Sequence, residues 1–210
     1  IKGLSVTFPH KETVMAELKL ISEKTGAIGA CNTIVHREDG WYGYNTDAYG
    51  LKKALMEFTG LQSFKHKRIA IIGAGGAARA AASIVKELNG KCCIFNRTVA
   101  KARYVADLYR FKYAALSPDS IDVLDNYSDI IIQTTSVGMI NTEKTSNLVD
   151  PIFFYDFKGH EFVYDIVYEP KKTPLLQRAE KAGCKIQNGY TMLQNQGYEQ
   201  FKLFTGEQYD

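Results

Sequence analysis

Cysteine is scarce, long apolar runs are absent and neither sign of charge dominates. Each shortage removes a class of protein. The four cysteines, Cys31, Cys92, Cys93 and Cys184, include no CxxC pair. Adjacent Cys92 and Cys93 point to opposite sides of any strand they occupy. A disulfide framework is therefore not expected; buried, reduced thiols fit a cytoplasmic chain. The four histidines do not cluster with the cysteines, so no metal site is expected. The longest apolar runs, such as Ile69–Ile72 and Ile130–Ile132, have the length of buried strands and fall far short of a membrane span. No secretory leader is visible. With 26 Lys and Arg against 23 Asp and Glu, the net charge of +3 is too mild to argue for a nucleic-acid or membrane partner.

What is present is an ordinary globular composition, 45% hydrophobic and 23% charged, without repeats or low-complexity tracts. The 210 residues suffice for one large or two modest domains. The chain opens at Ile1 rather than at methionine and runs straight into a strand-like segment, so its natural beginning is expected upstream.

Three stretches differ in texture. In the first, to about Gly60, Leu4–Phe8 reads as a strand and Glu12–Leu20 as a short helix. Asn32–His36 and Trp41–Tyr44 read as a hairpin around Glu38-Asp39-Gly40. Asp47 reads as the cap of a helix with Leu51, Leu55 and Phe58 on one face. The second stretch alternates strand Arg68–Ile72, helix Gly76–Leu88, strand Lys91–Phe95, helix Thr98–Tyr109 and strand Asp129–Thr134. That alternation, with unbroken apolar strands, predicts an α/β fold with a doubly wound parallel sheet of Rossmann type. Phe162–Val167 reads as a fourth strand, Thr173–Ala182 as a helix, and Lys185–Gln187 follows. The last stretch, Tyr190–Thr205, reads as a helix with Leu193, Tyr198, Phe201 and Phe204 on one apolar face, stopped by Gly206.

The strongest local signal is Ile69-Ala70-Ile71-Ile72-Gly73-Ala74-Gly75-Gly76-Ala77-Ala78, a strand ending in a glycine turn that opens a helix. Gly73 permits the tight turn, and Gly75 lets the backbone approach a pyrophosphate held by helix N-terminal N–H groups. GxGxxA alone is a weak pattern; the strand–turn–helix context favours a dinucleotide site over a plain structural turn. NAD sites carry an acid at the end of the second strand for the ribose hydroxyls. Here that strand ends Phe95-Asn96-Arg97-Thr98, and Lys101 follows one helical turn after Arg97. A guanidinium suits a 2′-phosphate, which favours NADP(H) over NAD, against the plainer reading of a solvated helix start.

Three short polar clusters precede the glycine turn: Thr7-Phe8-Pro9-His10-Lys11, Cys31-Asn32-Thr33 and Asn45-Thr46-Asp47. Each falls at the end of a predicted strand, where loops converge. Exchanging an alcohol and a ketone needs a group that moves the hydroxyl proton, and a lysine oriented by an aspartate can do so. His10, beside Lys11 on an extended segment, would point away. A surface lysine and a helix-capping aspartate explain Lys11 and Asp47 equally well on spacing alone.

The series Ser5-Val6-Thr7-x-Pro9-His10-Lys11, Gly29-Ala30-Cys31-Asn32-Thr33 and Gly43-Tyr44-Asn45-Thr46-Asp47 closely resembles the shikimate dehydrogenase family. So do Gly73-Ala74-Gly75-Gly76-Ala77-Ala78-Arg79, Asn96-Arg97-Thr98 and Thr135-Ser136-Val137-Gly138-Met139. Tyr164-Asp165-Ile166-Val167-Tyr168-x-Pro170 and Gly189-Tyr190-x-Met192-Leu193-x-x-Gln196 complete the match in order from end to end. The resemblance implies NADPH-dependent interconversion of 3-dehydroshikimate and shikimate in aromatic amino-acid biosynthesis. It implies Lys11 and Asp47 as the catalytic pair, with Thr7, Asn32, Tyr168 and Gln196 at the substrate. Gly73, Ala74, Gly75, Gly76 and Ala77 would hold the pyrophosphate, and Asn96, Arg97, Thr98 and Lys101 the 2′-phosphate. Ile166 and Gly189 would lie by the nicotinamide. A partial substrate-binding domain of residues 1–50 and 190–210 would flank an NADP-binding Rossmann domain of residues 51–189, in a monomer or homodimer with a small-molecule substrate.

Departures are specific. Family members usually start earlier, with a Ser-x-Ser element for the substrate carboxylate, and nothing here corresponds to it. Thr191 replaces a second glycine, Lys101 a frequent arginine, and Asn141–Glu161 follows no family pattern. Two rivals stay open: a quinate or dual quinate/shikimate dehydrogenase, and a non-catalytic ligand-binding relative, against which the intact Lys11 and Asp47 argue. A glutamyl-tRNA reductase shares the glycine turn but needs a reactive cysteine, and none of the four sits in a convincing nucleophile setting.

Overall fold

The computed structural model describes residues 1–7, 9–140 and 150–209. The first strand is β1 (Gly3–Ser5), shorter than the expected Leu4–Phe8, whose last residue lies outside the described set. The expected helix at Glu12–Leu20 does not form. A 3-10 turn, Thr13–Glu17, leads through an extended Leu18 into β2 (Leu20–Ile21). Glu12, at the cap position, offers no side-chain hydrogen bond, and so short a segment cannot repay helix nucleation without one.

Next comes α1 (Glu23–Ile28), begun by Ser22, whose Oγ accepts from the Thr25 N–H, and ended by Gly29 at φ 69°. β3 (Thr33–Arg37) and β4 (Gly40–Tyr44) form the expected hairpin within a sheet of order β1-β3-β4-β2. β1 and β4 both run antiparallel to β3, with Ser5 and Tyr44 opposite Thr33. The segments following β1 and β4 therefore meet the segment preceding β3 at one edge of the sheet. This corrects one detail: the Cys31-Asn32-Thr33 cluster sits at the start of its strand, and antiparallel pairing rather than strand ends gathers the clusters.

α2 (Thr46–Thr59) is capped by Asn45, whose Oδ1 accepts from the Ala48 N–H at 2.9 Å. Asp47 is therefore not the cap. It sits in the first turn with its carboxylate released for other partners.

The alternating region forms β5 (Arg68–Ile72), α3 (Gly76–Glu87), β6 (Lys91–Asn96), α4 (Val99–Tyr109) and β7 (Lys112–Ala115). A 3-10 turn leads to the short α5 (Ile121–Asp125), then β8 (Ile130–Gln133), β9 (Phe162–Asp165), α6 (Pro174–Lys181) and β10 (Lys185–Gln187). All six strands are parallel, in the order β10-β9-β8-β5-β6-β7. Phe162–Asp165 is thus the fifth strand of this sheet rather than the fourth. The strand that sequence reading missed is β7, an edge strand with exposed Lys112 and Tyr113 and no apolar run. Ile69–Ile72 and Ile130–Ile132 are fully buried because helices cover both faces of the sheet. Chain order reverses between β5 and β8, where such sheets bind ligands at the carboxyl ends of their strands.

α7 (Tyr190–Thr205) completes the chain. A Cβ on Gly50 would stand 2.6 Å from the Met192 carbonyl oxygen and 2.8 Å from the Gln196 nitrogen, so glycine is what lets α7 lie against α2 there. The chain divides into two compact units: Ile1–Ala54 with Thr191–Asp210, and Leu55–Tyr190.

Candidate active site and dinucleotide turn

In the first unit, Lys11 Nζ donates to Asp47 Oδ2 at 2.6 Å, with the two side chains 30% and 19% exposed. Asp47 Oδ1 accepts from Asn32 Nδ2 at 3.0 Å. The same amide nitrogen lies 2.9 Å from Thr46 Oγ1 and 3.4 Å from Gln196 Oε1. Its carbonyl Oδ1 accepts from the Thr46 N–H at 2.7 Å and from Thr33 Oγ1 at 3.0 Å. Asn32, Thr33 and Thr46 are buried, so a rigid polar floor fixes one face of a solvent-reachable ammonium–carboxylate pair. Gln200, one turn beyond Gln196 on α7, donates to Thr33 Oγ1 at 2.9 Å and accepts from Ser5 Oγ at 3.1 Å. Such a pair can pass a proton to an oxygen and recover it from solvent.

Two expectations change here. His10 is not on an extended segment: its N–H donates to the Thr7 carbonyl at 2.9 Å and its carbonyl accepts from the Val14 N–H at 3.1 Å. Strand alternation therefore says nothing of its direction, although its side chain is exposed. Asn32 does not present a free amide; both of its polar atoms are engaged, and it orients Asp47 as much as it awaits a ligand. Thr7 is exposed, and among the described residues no hydrogen bond joins its side chain to the cluster.

Cys31, beside this floor, is buried and its Sγ donates to the Thr33 carbonyl; burial pushes its thiol up. Burial likewise raises Cys92, takes Cys93 to about 12 and Cys184 to about 11. All four are protonated thiols rather than nucleophiles, which removes the basis for a cysteine-dependent reductase.

In the second unit, Gly73 holds φ +117°, and a Cβ there would stand 2.5 Å from Thr134 Oγ1 and 3.0 Å from Thr135 Cγ2. Only glycine fits where β5 ends against β8. A Cβ on Gly75 would meet nothing within 4 Å, so that position opens onto free space at the head of α3. Ala74, Gly76 and Ala77 border the same turn, partly exposed. Asn96 Nδ2 donates to the Thr98 carbonyl at 3.0 Å, and Thr98 stands at the N-cap position of α4 without a side-chain cap bond. Arg97 and Lys101 are exposed and form no ion pair among the described residues. Two uncommitted cations, no acid at the end of β6 and an open glycine turn suit NADP.

Gly189 lies directly on the Ile166 carbonyl: a Cβ there would clash with its oxygen. The Gly189 N–H donates to the Val167 carbonyl at 3.1 Å. Tyr168, just beyond, is 43% exposed. Beneath them lies a buried network that sequence reading assigned no role, centred on Asp165, Gln133 and Thr173. Its sequence signals are the polar Gln133 inside an apolar strand and Asp165 inside the Tyr164–Pro170 motif. Thr46 and Gln200 were missed too; Thr46 stood inside a recognised cluster, whereas Gln200 becomes visible only once α7 is placed.

Among the described residues no group of three or more His, Cys, Asp or Glu side chains could hold a metal, and no helix is long and apolar enough to cross a membrane.

The parallel sheet, its switch point and the glycine turn define a Rossmann-type dinucleotide-binding protein. The family model described as shikimate/quinate 5-dehydrogenase matches residues 53–156, and that of the shikimate dehydrogenase substrate binding domain matches residues 1–34. The NADP(+) shikimate dehydrogenase of Shouchella clausii is 37% identical over 209 residues, 98% of this chain and 74% of that protein. The Pyrococcus abyssi enzyme of the same name is 39% identical over 209 residues, 98% of this chain and 73% of its own length. The Thermus thermophilus shikimate 5-dehydrogenase, solved with NADP(H) and shikimate, superposes with a TM-score of 0.82 at 28% identity, covering 100% of this chain and 75% of that one. The chain belongs to the shikimate dehydrogenase family.

Proposed function

We propose that this chain catalyses the reversible, NADPH-dependent reduction of 3-dehydroshikimate to shikimate, a step of aromatic amino-acid biosynthesis. The observation that carries it is the 2.6 Å Lys11–Asp47 pair beside Asn32 and Gln196. When bound, NADPH supplies the hydride that reduces the carbonyl carbon. Gly73, Ala74, Gly75, Gly76 and Ala77 would hold its pyrophosphate and Asn96, Arg97, Thr98 and Lys101 its 2′-phosphate. Ile166 and Gly189 would bound the nicotinamide, with Tyr168 near the substrate.

Lys11 acts on the substrate oxygen. As an ammonium it hydrogen-bonds the ketone, draws electron density from the carbonyl carbon, and gives its proton to the oxygen as the alcohol forms. Asp47 holds the ammonium in place before transfer. Asn32, itself held by Thr46, keeps the Asp47 carboxylate from rotating, and Gln196 would reach the substrate's hydroxyls. In the oxidative direction neutral Lys11 accepts the hydroxyl proton.

Two rivals predict different features. A site reading NAD calls for an acid at the end of β6, where Asn96-Arg97-Thr98 stands. A non-catalytic relative has no use for an assembled Lys–Asp pair. The test is to follow NADPH oxidation with 3-dehydroshikimate, and NADP and NAD reduction with shikimate and with quinate. Turnover with the shikimate pair and NADP is expected. Turnover with quinate and NAD alone would overturn the substrate and cofactor assignment, and no turnover with any pair the enzymatic reading. Four reduced, buried thiols fit the cytoplasm. A monomer or homodimer is expected on size-exclusion chromatography.

A further inference from the structure

Asp165 ends β9 with no solvent exposure. Its Oδ1 accepts from the Val167 N–H at 3.0 Å and from Gln133 Nε2 at 3.2 Å; its Oδ2 accepts from Thr173 Oγ1 at 2.7 Å. Gln133, ending β8, is equally buried, and its Nε2 also faces the carbonyls of Thr135 and Val137, each at 3.1 Å. Thr173 caps α6 through the Leu176 N–H at 3.3 Å. One carboxylate thus ties together the loop after β8, the loop after β9 and the head of α6. Both loops lie at the carboxyl end of the sheet. The first abuts the glycine turn, where Thr134 Oγ1 donates to the Ile72 carbonyl at 2.7 Å and packs on Gly73. The second carries Ile166, whose N–H donates to the Gln133 carbonyl at 3.0 Å and whose own carbonyl is covered by Gly189.

A buried carboxylate is an expensive way to hold loops together. Apolar residues of the same volume usually stabilise a core at least as well as a buried ion with its partners. What the carboxylate adds is geometry, since three donors converging on two oxygens fix loop positions that packing leaves loose. We propose that Asp165 is a positioning residue of the dinucleotide site, setting the loops after β8 and β9 and thereby governing affinity for NADP(H). This rests on the NADP reading above.

Burial pushes the Asp165 carboxyl up to about 6, with Asp150 adding a like charge and Thr173, Val167 and Gln133 pulling the other way. Asp150 is itself held by Arg178 of α6 at 2.7 Å. At neutral pH the acceptor is therefore ionised, and it loses a lone pair as the pH falls through about 6.

The test measures the NADPH dissociation constant by fluorescence titration from pH 5 to 8, alongside thermal unfolding, for the wild type, Asp165→Asn and Thr173→Val. Asp165→Asn is nearly isosteric and mimics the neutral acid. It should bind NADPH about tenfold more weakly at pH 7.5, the loss expected of a charge-assisted hydrogen bond. It should also lack the weakening that the wild type shows below about pH 6. Thr173→Val removes one donor and should lose a few-fold. The ratio of NADPH to NADH affinity should stay at the wild-type value in both, since the 2′-phosphate contacts lie elsewhere. If both variants bind NADPH within twofold of wild type, Asp165 is merely structural, whatever the unfolding temperature does. If the wild type binds no NADPH, the NADP reading fails first and this inference with it.

Discussion

The two candidate sites are built on opposite plans. In the first unit the working groups are side chains already bonded to one another: Lys11 to Asp47, Asp47 to Asn32, Asn32 to Thr46 and Gln196. In the second unit the turn is backbone, shaped by Gly73 and opened by Gly75, while Arg97 and Lys101 have no ion-pair partners among the described residues. The difference follows from the chemistry each must do. A proton-transfer group has to be held within a fraction of an ångström before substrate arrives. A pyrophosphate brings its own charge and needs mainly N–H groups and room. One site is preorganised by side-chain bonds; the other is shaped by its glycine backbone.

The sharpest way to break that contrast is to cut the bonded cluster. Lys11→Ala should depress kcat by ~10²–10⁴, the usual contribution of a positioned proton-transfer group, with NADPH affinity little changed. Asp47→Ala should do likewise, and the double variant should lose less than the product of the two, as groups acting as a unit do. A raised KM with kcat untouched, and losses that multiply, would make both residues binding contacts only.

Arg97→Ala probes the other plan. Removing a cation that has no ion-pair partner among the described residues should leave stability nearly unchanged and weaken NADP by ~1.5–3 kcal/mol, with NAD far less affected. Equal losses for both cofactors, measured by titration, would show that Arg97 does not read the 2′-phosphate.

Asp165 brings the bonded plan into the second unit, and linkage sets its cost. Its folded-state value is raised from 3.8 to about 6, so the folded chain holds a proton the unfolded chain has released across that window. The stabilising contribution is fully present below pH 3.8 and is lost as pH rises through about 6. A shift of this size corresponds to roughly 1–3 kcal/mol. Asp165→Asn removes that loss, so its unfolding temperature relative to wild type should be more favourable at pH 8 than at pH 4. A difference flat across pH would mean the carboxyl is not raised.

Legibility divided along the same line. β5, β6 and β8 could be read because strands covered on both faces are apolar throughout, and the glycine turn because its requirements lie in consecutive residues. β7 could not, since a half-exposed edge strand carries no such run. The Glu12–Leu20 segment misled through apolar spacing without a cap. In the site, Lys11 and Asp47 could be named from motif resemblance. Their mutual distance, the Thr46 hub and the Gln200 bridge depend on the β1-β3-β4 register and on Gly50 admitting α7, which are long-range facts.

The smallest effect separates folding from chemistry within one short motif. Asn45 and Asp47 are two residues apart at the head of α2, and either could cap a helix. Asn45 does so, its Oδ1 accepting from the Ala48 N–H at 2.9 Å while its Nδ2 donates to the Ala30 carbonyl at 2.7 Å. Asn45→Ala should therefore cost about 1 kcal/mol of stability, in the ordinary range for a lost N-cap, and Asn45→Asp, which keeps the acceptor, should cost less. Asp47 lies inside the first turn, where its charge meets the helix dipole favourably and its oxygens are taken by Lys11 and Asn32 rather than by a helix N–H. Turnover should then rank Asp47→Ala as far the less active variant, while denaturant titration shows the cap loss in Asn45→Ala with kcat close to wild type. A steep loss of kcat in Asn45→Ala, or none in Asp47→Ala, would mean that the cap and the proton-transfer carboxylate have been assigned to the wrong residues.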